Sequence, residues 1–338
     1  MQLADAKVLS NTDIKMPNSD ISTPPRTVLF ILAPGFPLMA YASAVEPLRA
    51  ANVLAGRQLY AWRHLAAGPR EVAASNGVVV RADFEAARAP KPDIVLVCSG
   101  GNPALFRHPP TLARLRGFAR RGAKIGGLSA GAFILAQAGL LDGYRCTIHW
   151  EHEPAFSEAF PELRLTHSLF EIDRDRLTCA GGIAALDMMH AMIGSDHGQA
   201  LAAAVSDWFI QTRVRSSSDR QRLSIEDRYV VANLKVTRAL ESMEAQLGRL
   251  VDRRQLAAAA GVSIRQLERL FSRYLNSTID SQYRRIRLER ARTLIAQTAL
   301  PLLEVALLCG FRTAAHFSRS YRSAYGVPPR HDRSRSAP

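Results

Sequence analysis

The chain is predicted to be an α/β sandwich built on a parallel sheet, followed by an all-α domain with two helix-turn-helix motifs. Three observations predict it. Apolar runs alternate with amphipathic helical stretches over the first two hundred residues, the pattern of a parallel sheet covered by helices. Nearly all of the net positive charge lies in the last third: Thr212 to Pro338 holds 24 Lys and Arg against 11 Asp and Glu, and the rest of the chain 20 against 19. Within that basic third, two short helical patterns each end at a glycine, Gly261 and Gly310, and are each followed by a second helix.

Met1 to Pro25 is polar, lacks the apolar centre of a signal peptide and is expected to be a disordered tail, residues 1–25. Residues 26–210 form the α/β unit, large enough for its own core. Val28–Leu32, Ile94–Val97 and the stretch near Ile125 are continuous apolar runs, as expected of strands buried on both faces. Ala42–Leu54 and Thr111–Arg121 read as helices between them. The run Ile125–Leu135 is a strand, then small residues around one polar side chain, then a helix. That is the geometry of a nucleophile elbow, which lifts Ser129 to the carboxyl edge of the sheet beside a helix N-terminus. Gln211 to Glu226, rich in Ser, Arg and Asp, is the expected interdomain linker, residues 211–226.

In the helical domain, residues 227–332, Asp252–Ala260 is a short run of strong helix formers stopped by Gly261. Ser263 and Gln266 form a capping box opening the next helix, and Leu267, Leu270, Phe271 and Tyr274 repeat at the spacing of a buried stripe. Arg265, Gln266, Glu268, Arg269 and Arg273 are left as the DNA-facing set, with Arg265 and Arg269 in the early turns that reach base edges. Glu268 accepts from a cytosine or orients an arginine. Tyr283–Gln297 is one long basic helix with Ile286, Leu288, Ala291, Leu294 and Ile295 inward. A second pattern starts at Pro301 and ends at Cys309-Gly310-Phe311. The Thr313-capped helix after it packs on Phe317 and Tyr321 and offers Ala314, His316 and Arg319 to DNA. The charged residues after Tyr325 are expected to fray.

The strings Leu256-Ala257, Gly261–Phe271, Arg287–Arg292, Glu304-Val305-Ala306, Cys309-Gly310-Phe311, His316–Arg319 and Tyr325–Pro329 together resemble the DNA-binding domain of AraC/XylS-type transcription regulators. One departure stands out: Asn276-Ser277-Thr278-Ile279 replaces a segment that often carries Gly and Pro. Residues 27 to about 210 resemble the class I glutamine amidotransferase-like domain of the PfpI type, through Ala44–Asn52, Ser75-Asn76-Gly77, Gly126–Phe133, Ala138–Tyr144, Thr147–Trp150 and Ala180-Gly181-Gly182. That resemblance implies a flavodoxin-like sandwich whose elbow residue is ordinarily Cys. Here it is Ser129, the supporting acid falls near Ala40, and no His follows the elbow.

The combined resemblance implies a regulator, not an enzyme, in which the first domain kept its crevice and lost its catalysis. Ser129 and the amides of Ala130 and Gly131 would hold a carboxylate, Glu46 a cationic end, and His149 and Trp150 would line the site, the indole facing a cation. The Glu46–Asn52 string is similar to regulators of amino-acid and quaternary-amine catabolism, which implies a betaine, carnitine or an amino acid as effector. Double-stranded DNA is the expected partner, RNA polymerase a further one for an activator, and a homodimer the expected assembly. The alternative is an amidase or hydrolase using Ser129, with His149 as base, and an accessory DNA-binding domain. Cys98, Cys146, Cys179 and Cys309 are too scattered for structural zinc or a disulfide framework, and His149 with His152 lacks a further ligand cluster, so no metal or cofactor is expected. No run approaches a membrane span, and a cytoplasmic location is expected.

Overall fold

The computed structural model describes residues 24–83, 91–248 and 252–335, so the expected tail lies outside it except for Pro24 and Pro25. The first half runs β1 (Arg26–Leu32), α1 (Leu38–Leu54), β2 (Tyr60–Ala66), β3 (Glu71–Ala73), β4 (Val79–Arg81), β5 (Ile94–Ser99), α2 (Pro109–Arg120), β6 (Lys124–Ser129), α3 (Gly131–Gln137), β7 (Arg145–Cys146), α4 (Glu153–Ala159), β8 (Arg164–Leu165), β9 (Phe170–Asp173), β10 (Arg176–Cys179), α5 (Ala184–His197) and α6 (Gln199–Trp208). Its main sheet has the order β2-β1-β5-β6-β10-β9. Every neighbouring pair is parallel except β10 with β9, where the chain reverses through Arg174 in the left-handed region.

The continuous apolar runs have a simple cause: both faces of the central strands are covered. Val28, Phe30 and Leu32 pack with α1, α5 and α6, while Leu29 and Ile31 pack with α2 and α3. The sequence placed the start of α1 at Ala42, but Pro37, extended and unable to donate, sets it at Leu38. This sandwich carries the carboxyl ends of β1, β5 and β6 to one edge, and the loops that follow them meet there.

The second half is helical: α7 (Ile225–Tyr229), α8 (Leu234–Ala245), α9 (Arg253–Ala260), α10 (Ile264–Leu275), α11 (Ile279–Gln297), α12 (Leu302–Leu308), α13 (Ala314–Tyr325) and α14 (Pro329–Arg335). Two apolar cores result. One gathers Leu240, Leu256, Leu267 and Phe271, the other Val305, Phe311, Phe317 and Tyr321, and α11 serves both through Tyr283 and Ile286 at one end and Leu294 and Ile295 at the other. Arg287, buried on α11, donates to Cys309 O at 2.5 Å with its guanidinium 4.1 Å from the Phe311 ring centroid, tying the second turn to the shared helix.

Caps account for the helix ends. Asp252, Ser263, Thr278 and Thr313 each accept a backbone N–H at the start of their helices. At the missing family glycine, Asn276 adopts φ 45°, which its short polar side chain tolerates, so α10 stops on schedule. Three expectations are corrected. Tyr274 is 38% exposed, because the short α10 has Leu267 and Phe271 as its buried face. The shared helix starts at Ile279, not Tyr283, because Thr278 caps it. The segment after Tyr325 forms α14 rather than fraying: Asp332 is buried, accepts from Tyr321 Oη at 2.8 Å and pairs with Arg292.

Residues 211–222 have no regular structure, yet they are strapped to the α/β domain. Arg215 makes a buried ion pair with Asp187 of α5, at 2.6 Å. Gln221 donates to Ile148 O, Ser168 O and Thr147 Oγ1 and accepts from Trp150 N.

Candidate effector site and DNA interface

The turn out of β6 requires Ser129 at φ 58°, a conformation few non-glycine residues adopt. Its neighbours make room. A methyl group on Gly181 would sit 2.7 Å from Ser129 Cβ, and one on Gly131 2.1 Å from Val97 O, so both positions need glycine for close approach. The elbow expected from the sequence is therefore present in shape. Ala130 N donates to Ser99 O, which commits that amide within the fold, while the Ser129 hydroxyl makes no hydrogen bond among the described residues.

The loop after β7 closes on the elbow through His149 N, which donates to Ser129 O at 3.4 Å. Among the described residues the His149 imidazole makes no hydrogen bond to Ser129, and its Nδ1 accepts from Glu151 N. Burial, helped by His152 nearby, depresses its pKa to about 4. Such an imidazole is neutral at pH 7 and a weak proton acceptor. Ala40, where the family's acid would stand, is fully buried in α1. Burial also pushes the Cys98 and Cys179 thiols up, Cys179 to about 12, so neither is a thiolate nucleophile. His149, Glu151 and His152 bring donor atoms within 4.8 Å of one another, though Glu151 is exposed and one His149 nitrogen is already engaged.

The remaining sequence-predicted ligand residues are placed less simply. Glu46 receives both Nε and a terminal nitrogen of Arg49 at 2.7 Å, so its charge is already countered within α1. Trp150 is 40% exposed, and a cation does lie over its ring, but it is the chain's own: the Arg222 guanidinium stands 4.4 Å from the centroid. Sequence reasoning missed Asn102, Gln221 and Arg222. Asn102 follows the β5 loop and donates to Ala296 O of α11 at 2.6 Å, joining the elbow's surroundings to the helix shared by the two helix-turn-helix units. No local pattern signals contacts this distant in sequence.

On the helical half, Arg265, Glu268, Arg269 and Arg273 are exposed along α10, and Ala314, His316 and Arg319 along α13. Gln266 gives its backbone N–H to Ser263 Oγ at 3.2 Å. Glu268 pairs with Arg253 of α9, which also pairs with Asp280 of α11, so this carboxylate orients an arginine between three helices. His316 packs edge-on against Phe311. Both second helices thus present polar, arginine-bearing faces over apolar inner faces, as major-groove readers require.

A helix-turn-helix domain model matches residues 256–335, and a DJ-1/PfpI family model matches residues 26–194. The HTH-type transcriptional regulator GbdR of Pseudomonas aeruginosa is 42% identical over 91% of this chain and 84% of its own length. The chain belongs to the AraC-type transcriptional regulators that carry a DJ-1/PfpI domain. A second relative of this regulator, the HTH-type transcriptional regulator GlxA of Rhizobium meliloti, is 44% identical over 91% of this chain and 95% of its own. Among solved structures, a putative transcriptional regulator from Vibrio parahaemolyticus aligns over 55% of this chain and 100% of its own, with a TM-score of 0.51 at 21% identity, a likeness of fold alone. The regulator is therefore a DNA-binding protein, and among its described residues no helix is long and apolar enough to cross a membrane.

Proposed function

We propose that this regulator senses a small zwitterionic metabolite through a catalytically degenerate α/β domain and responds by activating genes of amino-acid or quaternary-amine catabolism. The observation that carries the sensing half is the elbow itself: its strained backbone is retained while no hydrogen bond joins Ser129 to the His149 imidazole among the described residues. A strained turn costs about 1–3 kcal/mol, which a fold without use for it would relax. Ser129 Oγ and the amide of Gly131 supply donors for a carboxylate, His149 a neutral imidazole wall, and Trp150 an aromatic face for a cation. Arg265 and Arg269 of α10 and Arg319 of α13 are the base-reading candidates, and two copies on paired half-sites would gain avidity.

The test is thermal denaturation of the full chain with glycine betaine, carnitine or arginine. A ligand that binds only the folded state stabilises it by about 2.7 kcal/mol at a hundredfold excess over Kd, so the melting temperature should climb with the concentration of one of them. A flat response to all three rejects the zwitterion. Ester or amide turnover that is lost on Ser129→Ala would instead establish the hydrolase.

A further inference from the structure

Trp150 lies on the rim of a 340 Å³ cleft between the two halves of the molecule, whose other walls include Glu153, Gln221, Arg222, Glu241 and Glu244. The cleft's carboxylates are largely countered from within, Glu244 by Arg228 and Glu153 by His167, and the indole face is taken by Arg222. Its guanidinium lies over Trp150, where burial and the neighbouring Arg228 charge disfavour its charged form, an effect that Glu244 of α8 and Glu289 of α11 only partly offset. The residue before it is pinned to the α/β domain by the Gln221 side chain, and two residues on Ser224 caps α7, the first helix of the DNA-binding half. Arg222 is therefore the point where the strap leaves one domain for the other, and one indole face holds it there.

We propose that Arg222 is a built-in competitor for the effector: the indole face of Trp150 is the subsite for the effector's cationic group, a guanidinium or methylated ammonium, and filling it displaces Arg222. Displacement frees the start of the helical half from the α/β domain. This rests on the metabolite-sensing reading and adds its route to DNA. The energetics suit a switch. A cation over an exposed aromatic ring contributes only about 0.5–1 kcal/mol, so a metabolite with a second anchor at the elbow outcompetes it. His149 stands between the elbow and the subsite: its backbone N–H donates to Ser129 O and its ring lies tilted 5.4 Å from that of Trp150, while the elbow residues themselves do not line the cleft.

Isothermal titration of the full chain with glycine betaine, L-carnitine and L-arginine tests the idea on wild type, Arg222→Ala, Arg222→Lys and Trp150→Leu. Arg222 is exposed, so its substitution leaves the fold intact. Removing the competitor should tighten binding of the recognised probe about two- to fivefold, the factor equivalent to the cation–π contact. Arg222→Lys should fall between, and Trp150→Leu should weaken binding. Hydrogen exchange of α7 and α8 should rise on adding that probe to wild type and be high without it in Arg222→Ala. Unchanged or weaker binding by Arg222→Ala, with wild type still binding, overturns the competitor and leaves metabolite sensing intact. Absence of binding to wild type and to Arg222→Ala for all three probes overturns the zwitterion reading, and the competitor falls with it.

Discussion

Replacing Asp187 with Ala should detach the strap that joins the two halves, and its cost can be worked from the contacts. The Asp187 side chain is fully buried. Its Oδ1 accepts from Arg215 N at 2.9 Å and Gln211 Nε2 at 2.8 Å, and its Oδ2 from Arg215 Nε at 3.0 Å and a terminal guanidinium nitrogen at 2.6 Å. The substitution orphans the Arg215 amide and leaves its guanidinium half-buried and unpaired. Breaking a buried pair from one side costs roughly 3–5 kcal/mol. The Arg215 side chain retains 26% exposure and can partly rehydrate, which places the loss at the lower end. For a unit of this size each kcal/mol lowers Tm by about 2–4 °C, so circular dichroism of the full chain at pH 7 should show the α/β transition falling by about 6–12 °C. The double variant Asp187→Leu, Arg215→Met should recover most of it, since an apolar pair of similar volume carries no uncompensated charge. A single-variant loss below about 2 °C would refute the reasoning. A double variant no more stable than the single one would transfer the effect from charge to packing.

Arg269→Ala should weaken binding at a matched site by about 1–3 kcal/mol, measured by fluorescence anisotropy, and relax discrimination there. Equal loss on specific and random DNA, with a salt slope lower by about one, would make Arg269 a phosphate contact instead. His149, with its pKa depressed to about 4 by burial, should titrate far below ordinary histidines by NMR. Because the unfolded chain binds that proton first, its stabilising contribution is complete above about pH 6.5 and is lost as pH falls towards 4. His149→Gln should flatten the dependence of Tm on pH over that window, and parallel curves for variant and wild type would count against burial as the cause. Gly181→Ala places a methyl group 2.7 Å from Ser129 Cβ at a backbone φ of 86°, and should cost at least 1–3 kcal/mol of overpacking. A wild-type melting temperature would show that Gly181 does not set the elbow.

What the sequence made legible follows the range of the interactions involved. The helix-turn-helix units are local: Asp252, Ser263 and Thr313 cap within three residues, Gly261 turns in place, and Leu267 with Phe271 repeats at one turn. β1, β5 and β6 announced themselves because strands buried on both faces have no polar alternation to mislead. Ser129 was legible because an elbow needs small residues adjacent in sequence. The antiparallel β9 was not, because direction is set by how its partner β10 arrives, and α14 was not, because its stability comes from Asp332 meeting Tyr321 and Arg292 of other helices. The occupant of Trp150 was hidden for the same reason: residues 150 and 222 come together through folding alone. The sequence offered Trp150 as a face for an effector's cation, and in the structure that face is covered by the chain's own Arg222.

The strengths of these contacts are ordered in a way that suits signalling. Within the α/β domain the strap is held by the fully buried Asp187, a connection worth several kcal/mol and too strong for a metabolite to break. Between the halves stand the packing of α4 and of the Pro103–Leu105 turn on α11, with the buried His152 and Gln297 facing each other, a neutral hydrogen bond from Asn102 to Ala296 O, and the exposed cation–π contact of Arg222, the last two each worth about 1 kcal/mol or less. A coupling energy of about 1–3 kcal/mol, the usual range for two communicating sites, exceeds either of those two contacts taken singly and falls short of the Asp187 pair. A ligand seated between Ser129 and Trp150 would therefore change how α11 and the two recognition helices are held while leaving the sandwich and its strap in place. Had the strengths been reversed, with a buried ion pair across the junction and a loose strap within the domain, the same ligand would unfold its own binding site before it moved the DNA reader.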